Sequence, residues 1–208
     1  MTHRRAFDVP ASYDIVQAVM LCLDSAKGVT GSALIYPDAT APAKVALAHR
    51  CEVRTQPDRE AAVEHLYTLA LSMSLPPVIY AETWTPGGNW GFQTILGIGE
   101  GWGMWTAEFE RARHRFGARS APAPVFRAPP NVWRDALFGK KRPTGREDSK
   151  MLARVYVERL MGVRVTDDVA EAICIGLFGI RDADVLAEAD RWRLRQAKVL
   201  RDAMKAAG

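Results

Sequence analysis

Four acidic residues stand where an acid is costly or crowded. Asp24 ends an uninterrupted apolar run from Val19 to Leu23, and Glu82 ends a second run, Val78 to Ala81. A carboxylate at the tip of a buried strand is unfavourable unless something positive meets it. Asp168 and Glu171 lie three apart in DDVAEAICIG, so a helix sets them on one face, and Asp167, four from Glu171, shares it. Two acids on one helix face repel unless a cation joins them. Oxygen ligands of this kind suit a hard divalent ion. Each feature also has a plainer use. Asp24 suits the start of a turn, and an acid before Glu171 suits a helix cap with Glu171 reaching back.

The surrounding elements decide between these uses. A short apolar run bounded by turn signals predicts a strand buried on both faces. After Asp24, Lys27-Gly28 supplies a turn and Thr30 to Ile35 resumes as a second strand, which makes a hairpin. Ala43 to Val53 reads as a third strand. Gln56-Pro57-Asp58 opens a helix with Ala62, Leu66, Leu69, Ala70 and Met73 at helical spacing, and Pro76-Pro77 ends it. Val78 to Ala81 follows as a fourth strand. A meander followed by a helix returns the chain to its sheet by a crossover, parallel to a strand already in place. If that neighbour is the first strand, Asp24 and Glu82 emerge together at the strand ends where open α/β sheets place ligands. Neighbouring strands are about 4.8 Å apart, close enough for the two acids to share a cation.

Beyond Glu82, the loop TWTPGGNWGF carries Trp84, Trp90 and Phe92. Exposed rings there would be a binding signal; the alternative is that they fold back on the core. Gln93 to Arg115 reads as a helix despite Gly97, Gly99, Gly101 and Gly103. Each interior glycine costs about 1 kcal/mol, so close approach of another helix or the sheet is expected to compensate. Neither GxGxxG nor GxxxxGK[ST] occurs, and no nucleotide cofactor is expected. Val125 to Arg127 is a fifth strand, and PNVWRDALFG forms one helical turn. Lys140, Lys141, Arg142 and Arg146 then form a basic loop. Such runs are commonly just solvated, but beside an acidic site they suit a phosphate backbone. Helices follow from Asp148 to Met161, from Asp167 to Phe178, and beyond Arg181. The expected organisation is an extension over 1–17, a core domain over 18–180, and a C-terminal helix over 181–208.

At 208 residues and 48% hydrophobic content, the chain can build one domain's core. A net charge of +4 is too mild to name a partner. Cys22, Cys51 and Cys174 lack CxxC spacing and read as buried thiols in a reducing compartment. His3, His49, His65 and His114 lack ligand-like spacing, which argues against zinc. No run of about 18 apolar residues and no signal-peptide core occur, so an intracellular protein away from the membrane is expected.

In order, the DSAKGVTG hairpin, strand-ending Glu82, PNVWRDALFG and DDVAEAICIG resemble the RuvC family of Holliday junction resolvases, and look closest to its phage-type members. The resemblance spans roughly residues 18–180. It implies an α/β, ribonuclease H-like fold: a five-stranded mixed sheet, three antiparallel strands then parallel ones, flanked by helices. It further implies a homodimer that hydrolyses branched DNA with Mg²⁺ (or Mn²⁺), two ions per site, leaving 5′ phosphates, and the phage-type likeness suggests a phage-encoded protein acting in the bacterial host cytoplasm. By position, Asp24 matches the first catalytic acid, Glu82 the second, and Asp168 with Glu171 the closing pair. All four would be metal ligands, and Asp167 rivals Asp168. Trp84, Trp90 and Phe92 are candidates for an aromatic that disturbs base stacking, and Lys140, Lys141, Arg142 and Arg146 for backbone contacts. Ser25-Ala26 stands where Pro-Gly is common, and Glu171 where Asp is frequent. Alternatives are a ribonuclease H-like nuclease acting on RNA–DNA hybrid or linear DNA, and a non-catalytic DNA-binding protein. Bare carboxylates repel phosphate, which counts against the last. Actin-like ATPases share a similar hairpin but need two such domains, more than 208 residues supply.

Overall fold

The computed structural model describes residues 6–8, 17–25, 29–38, 41–83, 92–116, 123–140, 145–162 and 164–207. Six strands, β1 (Ala6–Asp8), β2 (Val19–Ser25), β3 (Thr30–Asp38), β4 (Ala41–Val53), β5 (Pro77–Glu82) and β6 (Val125–Ala128), form one sheet in the order β1-β4-β3-β2-β5-β6. The five expected strands are there: β2, β3 and β4 as an antiparallel meander, then β5 parallel to β2 and β6 parallel to β5. The sixth, β1, lies inside the stretch expected to be a plain extension. It pairs antiparallel with β4 through Ala6, Phe7 and Asp8. Three residues at a sheet edge are too few to show an alternating pattern, which is why the sequence hides them.

Both faces of β2 are covered, and this explains its unbroken apolar run. Met20 and Cys22 point to one core, with Ala33, Ile35, Tyr80 and the helix α5 (Asp167–Gly179). Val19, Leu21 and Leu23 point to the other, with Leu34, Ile79, α1 (Gln56–Met73) and α2 (Phe92–Phe116). The other helices are α3 (Pro130–Phe138), α4 (Arg146–Met161) and α6 (Ala183–Ala207). α3 is a nine-residue helix rather than the single turn expected. Tyr80 of β5 donates to Asp182 Oδ2 at 2.5 Å, tying the sheet to the start of α6.

Three glycines let α5 lie flush on the sheet. A Cβ at Gly176 would stand 2.4 Å from both Cys22 Sγ and Ile35 Cδ1, and one at Gly179 2.8 Å from Met20 Cε. At Gly31 of β3 it would stand 1.9 Å from the carbonyl oxygen of Asp168. The β3 backbone therefore touches the first turn of α5, directly opposite Asp24 in the β2–β3 register.

The glycines of α2 behave otherwise. A Cβ at Gly99, Gly101 or Gly103 meets nothing within 4 Å, so the expected close approach is missing at these positions. The helix is held through buried Trp105 and Ala112 and through buried Glu108, which meets Arg111 at 2.6 Å and Arg115 at 2.9 Å; Gly99 and Gly103 lie on the opposite face, and Gly101 shares the Trp105 face. Alanine at 99, 101 and 103 is expected to stabilise the chain by about 0.4–1 kcal/mol per site. A urea midpoint that falls in the triple variant would show that these glycines are needed for something their surroundings do not reveal.

Candidate metal centre

The strand order brings the acids together. β2 and β5 run parallel in a register that pairs Leu23 with Ala81, so Asp24 and Glu82 follow at the same end. The contact at Gly31 sets the first turn of α5 over that end. Asp24, Asp168 and Glu171 each offer a carboxylate oxygen, and these atoms all lie within 4.8 Å of one another. Asp24 is 6% exposed and Glu171 3%. Glu82 stands beside this trio rather than within it: its Oε2 accepts from Trp133 Nε1 at 2.9 Å and lies 3.7 Å from Arg134 Nη2. Asp167 turns away to Arg154, 2.7 Å distant. Spacing alone allowed Asp167 or Asp168, and the structure brings Asp168 to Asp24. The capping alternative is not realised, because the N-cap of α5 is Thr166 without a side-chain cap bond. Glu171 Oε1 instead accepts from Arg134 Nη2 at 2.7 Å.

The electrostatics show an excess of negative charge. Burial, then the carboxylates of Glu171, Glu82 and Asp168, hold the Asp24 carboxyl well above the usual carboxylate range, with Lys150 opposing. Burial also raises Glu82, while Arg134 and the Trp133 hydrogen bond pull it down. Lys150 Nζ lies 2.9 Å from Asp168 Oδ1. Among the described residues, two cationic side chains thus face the four acids. A converging, all-oxygen, largely buried donor set with uncompensated charge fits a hard divalent cation.

Softer donors do not converge in the same way. Burial pushes the thiols of Cys22 and Cys174 up, inside the core. His49 does meet two such groups despite the unpromising spacing: His65 (Nδ1 to Nδ1, 3.1 Å) and Cys51 (Nε2 to Sγ, 3.2 Å). Among the described residues, however, the acids are the one set with three ligand atoms close enough to hold an ion. The histidine pair has a consequence for stability. Burial, then His65, lowers His49 from 6.5 to about 4. Between those values the unfolded chain takes up a proton that the folded chain refuses, so stability falls as pH drops through that window. His49 has a φ of 45°, a conformation asparagine tolerates. His49→Asn should therefore fold and show a flatter fall in Tm between pH 7 and pH 4.5 than the wild type; parallel curves would contradict the assignment.

Other expected site residues are reached only in part. Trp84, Trp90, Lys141 and Arg142 lie outside the described residues. Phe92 opens α2 and Arg146 opens α4, but their side chains also lie outside. Lys140 is exposed just past α3. Conversely, Trp133, Arg134 and Lys150 touch the acids and had not been singled out from sequence. The usable signal was charge: buried carboxylates need positive partners, and both cations sit in the helices just before DDVAEAICIG.

No family model matches the chain, and no curated protein does. Solved structures do. RuvC of Thermus thermophilus, in complex with a Holliday junction substrate, matches with a TM-score of 0.50 at 16% identity, over 77% of this chain and 92% of that one. The chain has a RuvC-like fold. A second Thermus thermophilus RuvC structure matches at a TM-score of 0.47 and 18% identity over the same shares. The yeast mitochondrial Holliday junction resolvase Ydc2 matches at 0.40 and 14%, over 90% of this chain and 89% of that one. At such identities the likeness is one of fold, and it agrees with the ribonuclease H-like α/β sheet expected. No helix among the described residues is long and apolar enough to cross a membrane.

Proposed function

We propose that this chain is a metal-dependent endonuclease that resolves four-way and related branched DNA by paired phosphodiester hydrolysis, leaving 5′ phosphates. The observation that carries the proposal is the converging Asp24/Asp168/Glu171 trio, with Asp24 and Glu171 buried and Glu82 beside it, at the ligand end of a RuvC-like sheet. Asp24, Glu82, Asp168 and Glu171 are the proposed ligands for two Mg²⁺ ions, with Mn²⁺ as substitute. When bound, such ions supply Lewis-acid chemistry: an activated water and neutralised charge on phosphate and leaving oxygen.

The chain's own groups provide position and dryness. Asp24 and Glu171 are shielded from water, which strengthens their pull on a cation. Arg134 orients Glu171, and Lys150 orients Asp168. Lys140, Lys141, Arg142 and Arg146 are proposed to neutralise DNA backbone. Trp84, Trp90 and Phe92, which follow Glu82 in the chain, are proposed to meet unstacked bases. A homodimer follows from the symmetry of the task, since one site per chain must cut two strands. The compartment proposed is the bacterial cytoplasm, with a phage-encoded protein as the source.

Binding tests the substrate class apart from the chemistry. In Ca²⁺ buffer the wild-type chain should bind a four-way junction more tightly than a linear duplex of the same sequence, and sediment as a dimer. Equal affinity for the two DNAs would contradict junction selectivity.

A further inference from the structure

Trp133 links two parts of the acidic site. It sits on α3, fully buried, 51 residues from Glu82 in the chain, and its indole N–H donates to Glu82 Oε2 at 2.9 Å. Phe138 meets its ring edge-on with centroids 6.0 Å apart. The Arg134 guanidinium lies over the same ring, 4.8 Å from its centroid, and donates to Glu171 at 2.7 Å. Glu82 Oε1 makes no hydrogen bond among the described residues.

We infer that Trp133 is a positioning residue: its indole N–H fixes one oxygen of Glu82, while the other takes no hydrogen bond from the described residues, and its ring face steadies Arg134 against Glu171. This rests on the metal-site function proposed above. A buried indole N–H needs an acceptor, but a backbone carbonyl serves as well as a carboxylate. Here the acceptor is an acid at the ligand end of the sheet. The choice of donor matters too. The N–H fixes the direction of the carboxylate without adding charge; the cationic partner of the same oxygen is Arg134, 3.7 Å away. Outer groups that orient a metal ligand typically change metal affinity by about 10- to 100-fold when removed.

The test is a double-mutant cycle on Mn²⁺ affinity, measured by calorimetry on the full chain without DNA. Trp133→Phe keeps a ring and removes the N–H; it should weaken Mn²⁺ binding by about 10- to 100-fold. On a Glu82→Gln background the same change should have less than about a twofold effect, because the group it acts through is already altered. A purely structural tryptophan would weaken binding equally on both backgrounds, and that result overturns the inference, as does unchanged binding by Trp133→Phe. If Trp133→Phe does not fold, benzothienylalanine at 133 removes the N–H at nearly constant volume and is read by the same two criteria. Failure of the wild-type chain to bind Mn²⁺ would instead remove the metal site itself, and the inference with it.

Discussion

Asp24→Asn should reduce cleavage of a four-way junction by roughly 10³-fold or more, the loss expected when several kcal/mol of charge stabilisation disappear from the transition state. Junction binding should stay close to wild type, since the change only removes one negative charge from the end of the sheet where the acids converge. The same substitution has an opposite effect on stability. Burial and three neighbouring acids raise the folded-state value of Asp24 above its ordinary 3.8. The folded chain therefore holds this proton more tightly than the unfolded chain does. Stability from this group is full below the unfolded value and is lost as pH rises through the folded one. At neutral pH, without metal, the wild type carries that cost and the asparagine variant does not. Asp24→Asn should accordingly raise Tm in EDTA and gain less than wild type from added Mg²⁺. A variant that melts lower in EDTA would mean that Asp24 is held by favourable contacts rather than by its need for a cation.

Gly31→Ala should be nearly as damaging to cleavage, and far worse for the fold. The added methyl would stand 1.9 Å from Asp168 O, 2.1 Å from Asp168 C and 2.7 Å from Val169 N, all backbone atoms. No rotamer change relieves that clash, so the start of α5 must move off β3. Overpacking of this kind costs about 3 kcal/mol or more, at the upper end of the usual range. For a chain of this size that is roughly a 6–12 °C fall in Tm. Because Asp168 and Glu171 move with the helix, junction cleavage should fall by about 10²-fold or more even well below the melting temperature. A variant that cuts at the wild-type rate would show that the closeness of β3 and α5 is not what places the acids.

Much of this arrangement was legible in the sequence because covered strands leave a plain trace. The apolar run of β2 reports burial on both faces, and the connection rule for a meander plus crossover made β5 parallel to a strand already in place; its pairing with β2, the condition for Asp24 and Glu82 to share an end, is supplied by the structure. Where tertiary contacts decide, sequence spacing was silent. Asp167 and Asp168 are equivalent by helical periodicity, and it is Arg154 of α4 that draws Asp167 aside. Glu82 stands beside the trio and is met there by Trp133, a partner no local pattern relates to it. Propensity predicted a close neighbour for the α2 glycines, yet a Cβ at Gly99, Gly101 or Gly103 meets nothing within 4 Å, and the helix is held through Trp105 and Glu108. Gly31 read as one position of the second strand, as it is, but nothing in the spacing showed that its use is to let α5 approach.

The most direct measurement of the central claim is cleavage, by the wild-type chain with Mg²⁺, of a panel of end-labelled substrates: four-way junction, linear duplex and RNA–DNA hybrid. The predicted result is paired nicks placed symmetrically across the junction, with ligatable 5′ phosphates, no cutting in EDTA, and little cutting of the other substrates. Equal cutting of junction and linear duplex, or preferential cutting of the hybrid, would contradict a resolvase, and an absence of metal-dependent cutting on every substrate would contradict the nuclease itself.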